Sequence, residues 1–164
     1  MKLSTTTQEL LGQLQTVSRV ASTRSAVQAL SGVQVAAGDD GVELRATDME
    51  IGLRVPLRAD VTRPGEVVLP ARLLLEVARQ LPGADVSLEL RPSEGDVEII
   101  SATAQFHLRT LRAEDFPPLP APDAETRIPV RIGRVSSREA ERATFAIVST
   151  KAAAGTLTTW SPPG

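Results

Sequence analysis

The 164-residue chain predicts an α+β domain in which two helices pack on antiparallel sheet, with elements running βαβββ twice in succession. Three observations carry this prediction. Only two segments place apolar residues at helical spacing. Eight short segments are alternating or β-branched and are bounded by turn residues. The order of these elements then repeats with an offset of roughly 60–65 residues.

The first strand is Lys2–Thr5, and a helix follows Thr6, which with Glu9 makes a capping box. The helix is expected to run to about Ala21. At about 100° per residue, Leu10, Leu11, Leu14, Val17 and Ala21 share one face, and Gln8, Gly12, Gln15 and Arg19 share the other. Strands Leu30–Ala36, Val42–Thr47 and Ile51–Arg58 complete the first repeat, the first two joined by a Gly38-Asp39-Asp40-Gly41 hairpin turn. The second repeat opens with strand Glu66–Leu69. Its helix starts with Pro70 in the first turn, where a missing amide costs nothing, and stops at Pro82-Gly83. Leu73, Leu74, Val77, Ala78 and Leu81 make its buried stripe, leaving Arg72, Glu76 and Arg79 outside. Strands Val86–Leu90, Val97–Ser101 and Gln105–Thr110 follow, the first two turning at Pro92-Ser93-Glu94-Gly95.

Charge divides the chain where the elements stop. Residues 1–126 hold 12 basic and 18 acidic groups, whereas residues 127–164 hold 6 and 2. Phe116-Pro117-Pro118-Leu119-Pro120-Ala121-Pro122 lies just before that change, and its four prolines favour extended, linker-like backbone. One domain over 1–122, with a linker from about 113, and a tail of uncertain order over 123–164 is the expected organisation. The tail is read either as the start of a truncated or frameshifted second domain, which Ile128-Pro129-Val130 could open, or as a segment in which residues 131–164 contribute nothing.

Composition argues against an enzyme. The absence of cysteine removes disulfides, thiolate zinc sites and a thiol nucleophile. One histidine, His107, and no tyrosine leave little for acid–base catalysis. No glycine-rich phosphate loop and no Ser/His/Asp set occurs, and Asp48 and Glu50 read as turn residues, with Asp48 capping backbone amides. No catalytic residue, metal or cofactor is expected. MKLSTTTQEL lacks a signal-peptide apolar run, and no stretch approaches the roughly 20 apolar residues that span a bilayer. A cytoplasmic protein without a membrane partner is the expectation.

Several segments resemble the N-terminal domain of the bacterial beta sliding clamp family, the processivity subunit of the replicative DNA polymerase. They are MKLSTTTQELLGQLQTVSRV, TRSAVQALSGVQV, ATDMEIGLRV, VVLPARLLLEVARQLP and FHLRTLRAEDFPPLP. Together they cover residues 1–122. The resemblance implies a DNA-clamp fold. It also implies a role in DNA replication as one domain of a ring-shaped homodimer that encircles double-stranded DNA without sequence specificity and tethers the polymerase. Replicative polymerase and clamp loader are the implied partners of the full-length family. The family has three such domains, and residues 131–164 depart from its pattern, so a truncated or frameshifted reading frame is expected. The alternative is a clamp-derived interaction module that pairs with an intact clamp and blocks ring closure.

Carried onto this sequence, the resemblance makes Arg24 the arginine that reaches the DNA backbone. Gln15, Arg19, Arg72 and Arg79 lie on the helix faces that would line the central hole. Taken singly these are ordinary solvated side chains; jointly they supply the dispersed cations that phosphate tracking needs. Phe106 and Leu108 fall on the strand implied to be the subunit interface, although their alternation fits core packing equally. Arg45, Arg54, Arg58, Arg63 and Arg91 read as surface charges among acids, and His107 as a surface residue.

Overall fold

The computed structural model describes residues 1–21, 26–119 and the backbone of 146–149. Among the described residues, ten strands and two α-helices follow one another as β1 (Lys2–Thr6), α1 (Thr7–Val17), β2 (Gly32–Gly38), β3 (Gly41–Thr47), β4 (Ile51–Leu57), β5 (Asp60–Arg63), β6 (Gly65–Pro70), α2 (Ala71–Gln80), β7 (Asp85–Arg91), β8 (Asp96–Ser101), β9 (Ala104–Arg109) and β10 (Ala146–Ser149). The fold is α+β, with antiparallel sheets ordered β5-β1-β7-β8-β9 and β10-β4-β3-β2-β6.

The repeat is present with an exchange of strands. The unit β1-α1-β2-β3-β4 matches β6-α2-β7-β8-β9, but each unit's first strand joins the other unit's sheet. Thus β1 pairs with β7, and β6 with β2. The chain crosses between sheets again after each unit: β5 pairs with β1, and Leu111 N–H donates to Val68 O at 2.8 Å. Such crossings tie the two halves into one core containing Leu3, Leu10, Leu14, Val35, Leu44, Val55, Leu69, Leu74, Leu88 and Ile99. The two helices lie against each other over this core.

Strand faces follow the alternation. Val42, Leu44 and Ala46 point into the core from β3, while Glu43 and Arg45 face outward. Half of the expected capping box of α1 forms, with Glu9 N–H donating to Thr6 Oγ1 at 3.2 Å, while Glu9 Oε1 accepts from Gln13 Nε2 and Arg58 N–H instead of closing the box. Asp48 Oδ1 likewise accepts from Glu50 and Ile51 N–H at 2.9 and 2.7 Å.

Several expectations are corrected. Helix α1 ends at Val17, four residues early, because the chain tightens into turns in which Arg19 and Val20 N–H donate to Thr16 and Val17 carbonyls. Residues Gln28–Ser31 form a 3₁₀ turn, which delays β2 to Gly32. Pro70 caps α2 rather than lying inside its first turn, and Leu73 is 48% exposed because the buried stripe passes through Ala71, Leu74 and Ala78. Strand β5, too short to show a period, was not anticipated. Finally, Ala146–Ser149 of the tail pairs antiparallel with β4, setting Ala146 opposite Arg54 and Ser149 opposite Ile51. Part of 131–164 therefore does join the domain.

The linker is fastened where it leaves. Phe116 is buried with Ala29 and Val68, and Arg54 Nη2 donates to Leu119 O at 2.6 Å.

Candidate nucleic-acid interface and association edge

The capped α1 and the proline-started α2 each bury one stripe, which fixes what their other sides present. Gln8, Gly12, Gln15 and Arg19 are exposed on or just beyond α1, and Arg72 and Arg79 on α2. Four of the five expected DNA-facing residues, Gln15, Arg19, Arg72 and Arg79, thus occupy the outer sides of neighbouring helices. Arg24 lies outside the described residues.

Ion pairing separates these arginines from most of those on the strands. On the sheets, Arg45 Nη2 lies 2.9 Å from Glu43 Oε2, Arg54 Nη1 3.8 Å from the same oxygen, and Arg63 Nη2 3.6 Å from Glu89 Oε1. Arg91 makes a two-pronged contact with Asp96, at 2.9 and 2.7 Å. Lys2 Nζ lies 2.9 Å from Glu89 Oε2. By contrast, the Arg19 and Arg79 side chains make no ion pair among the described residues. Arg72 pairs only with Glu76, one helical turn on at 3.0 Å, and its side chain remains 87% exposed. A solvated pair of this kind is worth only a few tenths of a kcal/mol, so Arg72 can turn to a stronger anion at little cost. Arg45, Arg54, Arg63, Arg91 and Lys2 thus sit against acidic partners, Glu43 and Glu89 each serving two of them, while Arg19 and Arg79, and beside them Arg58 and Arg109, make no ion pair among the described residues.

The sheet pairs also shift their partners' titration. The bond from Arg91 holds Asp96 below the usual carboxylate range, and the bond from Lys2 does the same for Glu89. The Asp96 bond raises Arg91 further, stabilising its charge. No group of three or more metal-ligating side chains forms among the described residues.

At the end of one sheet, β9 presents an outer edge with no strand partner among the described residues. Leu108 is buried in the core at 7% exposure, whereas Phe106 is half-buried against that core. Gln105, His107 and Arg109 occupy the opposite, solvent-facing side. The sequence reading treated Phe106 and Leu108 as a pair; burial divides them. Arg54, read from the sequence as a surface charge, also tethers Leu119, a contact between residues 65 positions apart that leaves no local signal.

This arrangement of exchanged repeats with a helix pair over two sheets has known counterparts. The family model for the DNA polymerase III beta subunit, N-terminal domain, matches residues 1–120. The chain belongs to this family. Over 128 residues it is 36% identical to the beta sliding clamp of Synechocystis, covering 73% of this chain and 32% of that protein. It also superposes on the crystal structure of the Bacillus subtilis DNA polymerase sliding clamp with a TM-score of 0.70 at 30% identity, over 76% of this chain and 34% of the other. The Caulobacter crescentus sliding clamp gives 0.69 at 31%, over 74% and 33%. The chain spans about a third of the length of these clamps. Among the described residues, no helix is long and apolar enough to cross a membrane.

Proposed function

We propose that the chain acts as a non-catalytic DNA-clamp domain, holding duplex DNA through the outer sides of α1 and α2 without reading its sequence. The observation that carries this reading is that Arg19, Arg72 and Arg79 lie together on the outer sides of the two neighbouring helices, left to solvent or to one weak helical pair, while Arg45, Arg54, Arg63 and Arg91 on the strands are bonded to carboxylates. Phosphate tracking needs such cations on rigid elements, and it needs no base-edge contacts. Gln15 and Arg24 belong to the same proposed surface.

In a ring built from such domains, processivity arises from topology. Weak contacts suffice because a closed ring cannot leave sideways, and a polymerase bound to it gains effective concentration. Polymerase and clamp loader are proposed partners of the assembled ring, with β9 as a subunit-interface edge carrying Phe106 and Leu108. A cytoplasmic location accords with a replication role. A second reading, an interaction module that pairs through β9 with an intact clamp and blocks ring closure, is favoured by the open outer edge of that strand.

The test of DNA contact is duplex affinity across a salt series. With three or four phosphates engaged by Arg19, Arg24, Arg72 and Arg79, log affinity falls against log salt with a slope of roughly −3. Arg24→Ala reduces the slope by about one unit while the fold is retained. Tight binding that persists at high salt contradicts the reading.

A further inference from the structure

The two exchanged units make β4 and β9 counterparts, each the last strand of its unit, yet their outer edges are treated differently. Strand β9 has no strand beyond it among the described residues, whereas β4 is covered by β10. Backbone direction decides what β10 covers. Asp48 N–H donates to Ile51 O at 3.2 Å, which turns the main-chain groups of Ile51 toward β3. Successive residues of a strand turn these groups to opposite sides, so Leu53 and Val55 also bond to β3, and Gly52, Arg54 and Pro56 point outward. Pro56 has no amide hydrogen, which leaves the outer edge of β4 two N–H groups, those of Gly52 and Arg54. Strand β10 sets Val148 opposite Gly52 and Ala146 opposite Arg54, with no shift of register. Four residues thus cover both donors.

The strand that is covered also anchors the chain that supplies the cover. Arg54 Nη2 donates to Leu119 O at 2.6 Å, and Phe116 just before it is buried with Ala29 and Val68. A strand tethered beside its own edge has a high effective concentration there, which any strand from a second copy must outcompete. Ile147 and Val148 are β-branched, as suits such a pairing. An edge whose donors are left uncovered is, by contrast, a template for another chain.

We propose that β10 is an intramolecular edge cap: it occupies both outward donors of β4 and thereby keeps a second copy of the chain from adding a strand there. Strand β9 is left open, so the cap closes one side of the domain and not the other. A neighbour joins on the β4 side only by displacing β10, which four residues of pairing permit. The proposal is independent of the DNA-facing reading of the helices.

In the full chain, Val148→Pro removes the amide that faces Gly52, and Ile147→Pro removes one that faces away from β4 and serves as the control. In dilute solution, hydrogen exchange at the Gly52 and Arg54 amides is expected to be up to about fivefold faster in Val148→Pro than in the parent, which corresponds to a cap of about 1 kcal/mol. Leu53 and Val55, bonded to β3, keep their parent rates and report that the sheet is intact. Ile147→Pro exchanges as the parent does. At higher concentration Val148→Pro is expected to associate more strongly than the parent in sedimentation equilibrium, and the Gly52 and Arg54 amides slow again as another copy takes the edge. Parent-like exchange at these two amides in Val148→Pro, or equal acceleration by Ile147→Pro, overturns the cap. Faster exchange with no gain in association, or association that leaves the two amides unprotected, overturns its role in excluding a second copy.

Discussion

Phe106 and Leu108 sit two positions apart on one strand, yet they answer to different forces. Leu108 belongs to the core, so Leu108→Ala is expected to cost about 2–4 kcal/mol in a denaturant melt. Phe106 is half-buried at the edge, and Phe106→Glu is expected to reduce concentration-dependent association at a nearly unchanged melting temperature. A large stability loss at Phe106 with association unchanged would place it in the core instead. The alternation in Gln105–Arg109 was legible as core-facing and solvent-facing sides, but not the depth of each site, which depends on β8 and the helices above it. Charge at single residues yields a second expectation. Asp96 and Glu89 are held below the usual carboxylate range by Arg91 and Lys2, so the stability they supply is present above about pH 4. It is lost as pH falls through their lowered values. Arg91→Ala should move the acid limb of a pH–stability curve upward, toward the ordinary carboxylate range; an unmoved limb would show that the contact contributes nothing.

Elements were legible to the extent that their signals are local. The Thr6–Glu9 cap, the apolar stripe of α1 and the hairpin glycines each act within a few residues, and all appear in the fold. The register of α2 was harder to read, because Leu73 and Leu74 are equally apolar and only packing over β6 and β2 decides between them. Strand β5 exists because β1 offers it an edge, and β10 because β4 does; neither signal lies in the segment itself. Four residues of edge pairing add little to a core assembled without them. Deleting 127–164 is accordingly expected to leave a cooperative melt, lowered by no more than about 1 kcal/mol of an ordinary domain's 5–15. Loss of several kcal/mol would show that the tail packs on the core.

At the scale of the whole molecule, one polarity organises the chain. Most of its strand arginines, Arg109 excepted, are already bonded to glutamate or aspartate, and the arginines on the helix side have little or nothing to hold. Net charge, −2, conceals this entirely. The helical wheel exposed half of it, by placing Arg19, Arg72 and Arg79 away from the core. The other half, that Arg63 reaches Glu89 across β1 and that Arg54 meets Glu43 on the neighbouring strand, depends on pairing between segments distant in sequence. A surface with free cations attracts phosphate, whereas a neutralised one lets it pass. The direct measurement is duplex affinity at low salt for two charge reversals of the full chain. Arg19→Glu/Arg79→Glu is expected to abolish measurable binding and flatten the salt dependence, while Arg45→Glu/Arg63→Glu leaves both within about twofold. Equal losses from the two pairs, or loss from the sheet pair alone, would contradict the assignment of the DNA-facing side to the helices.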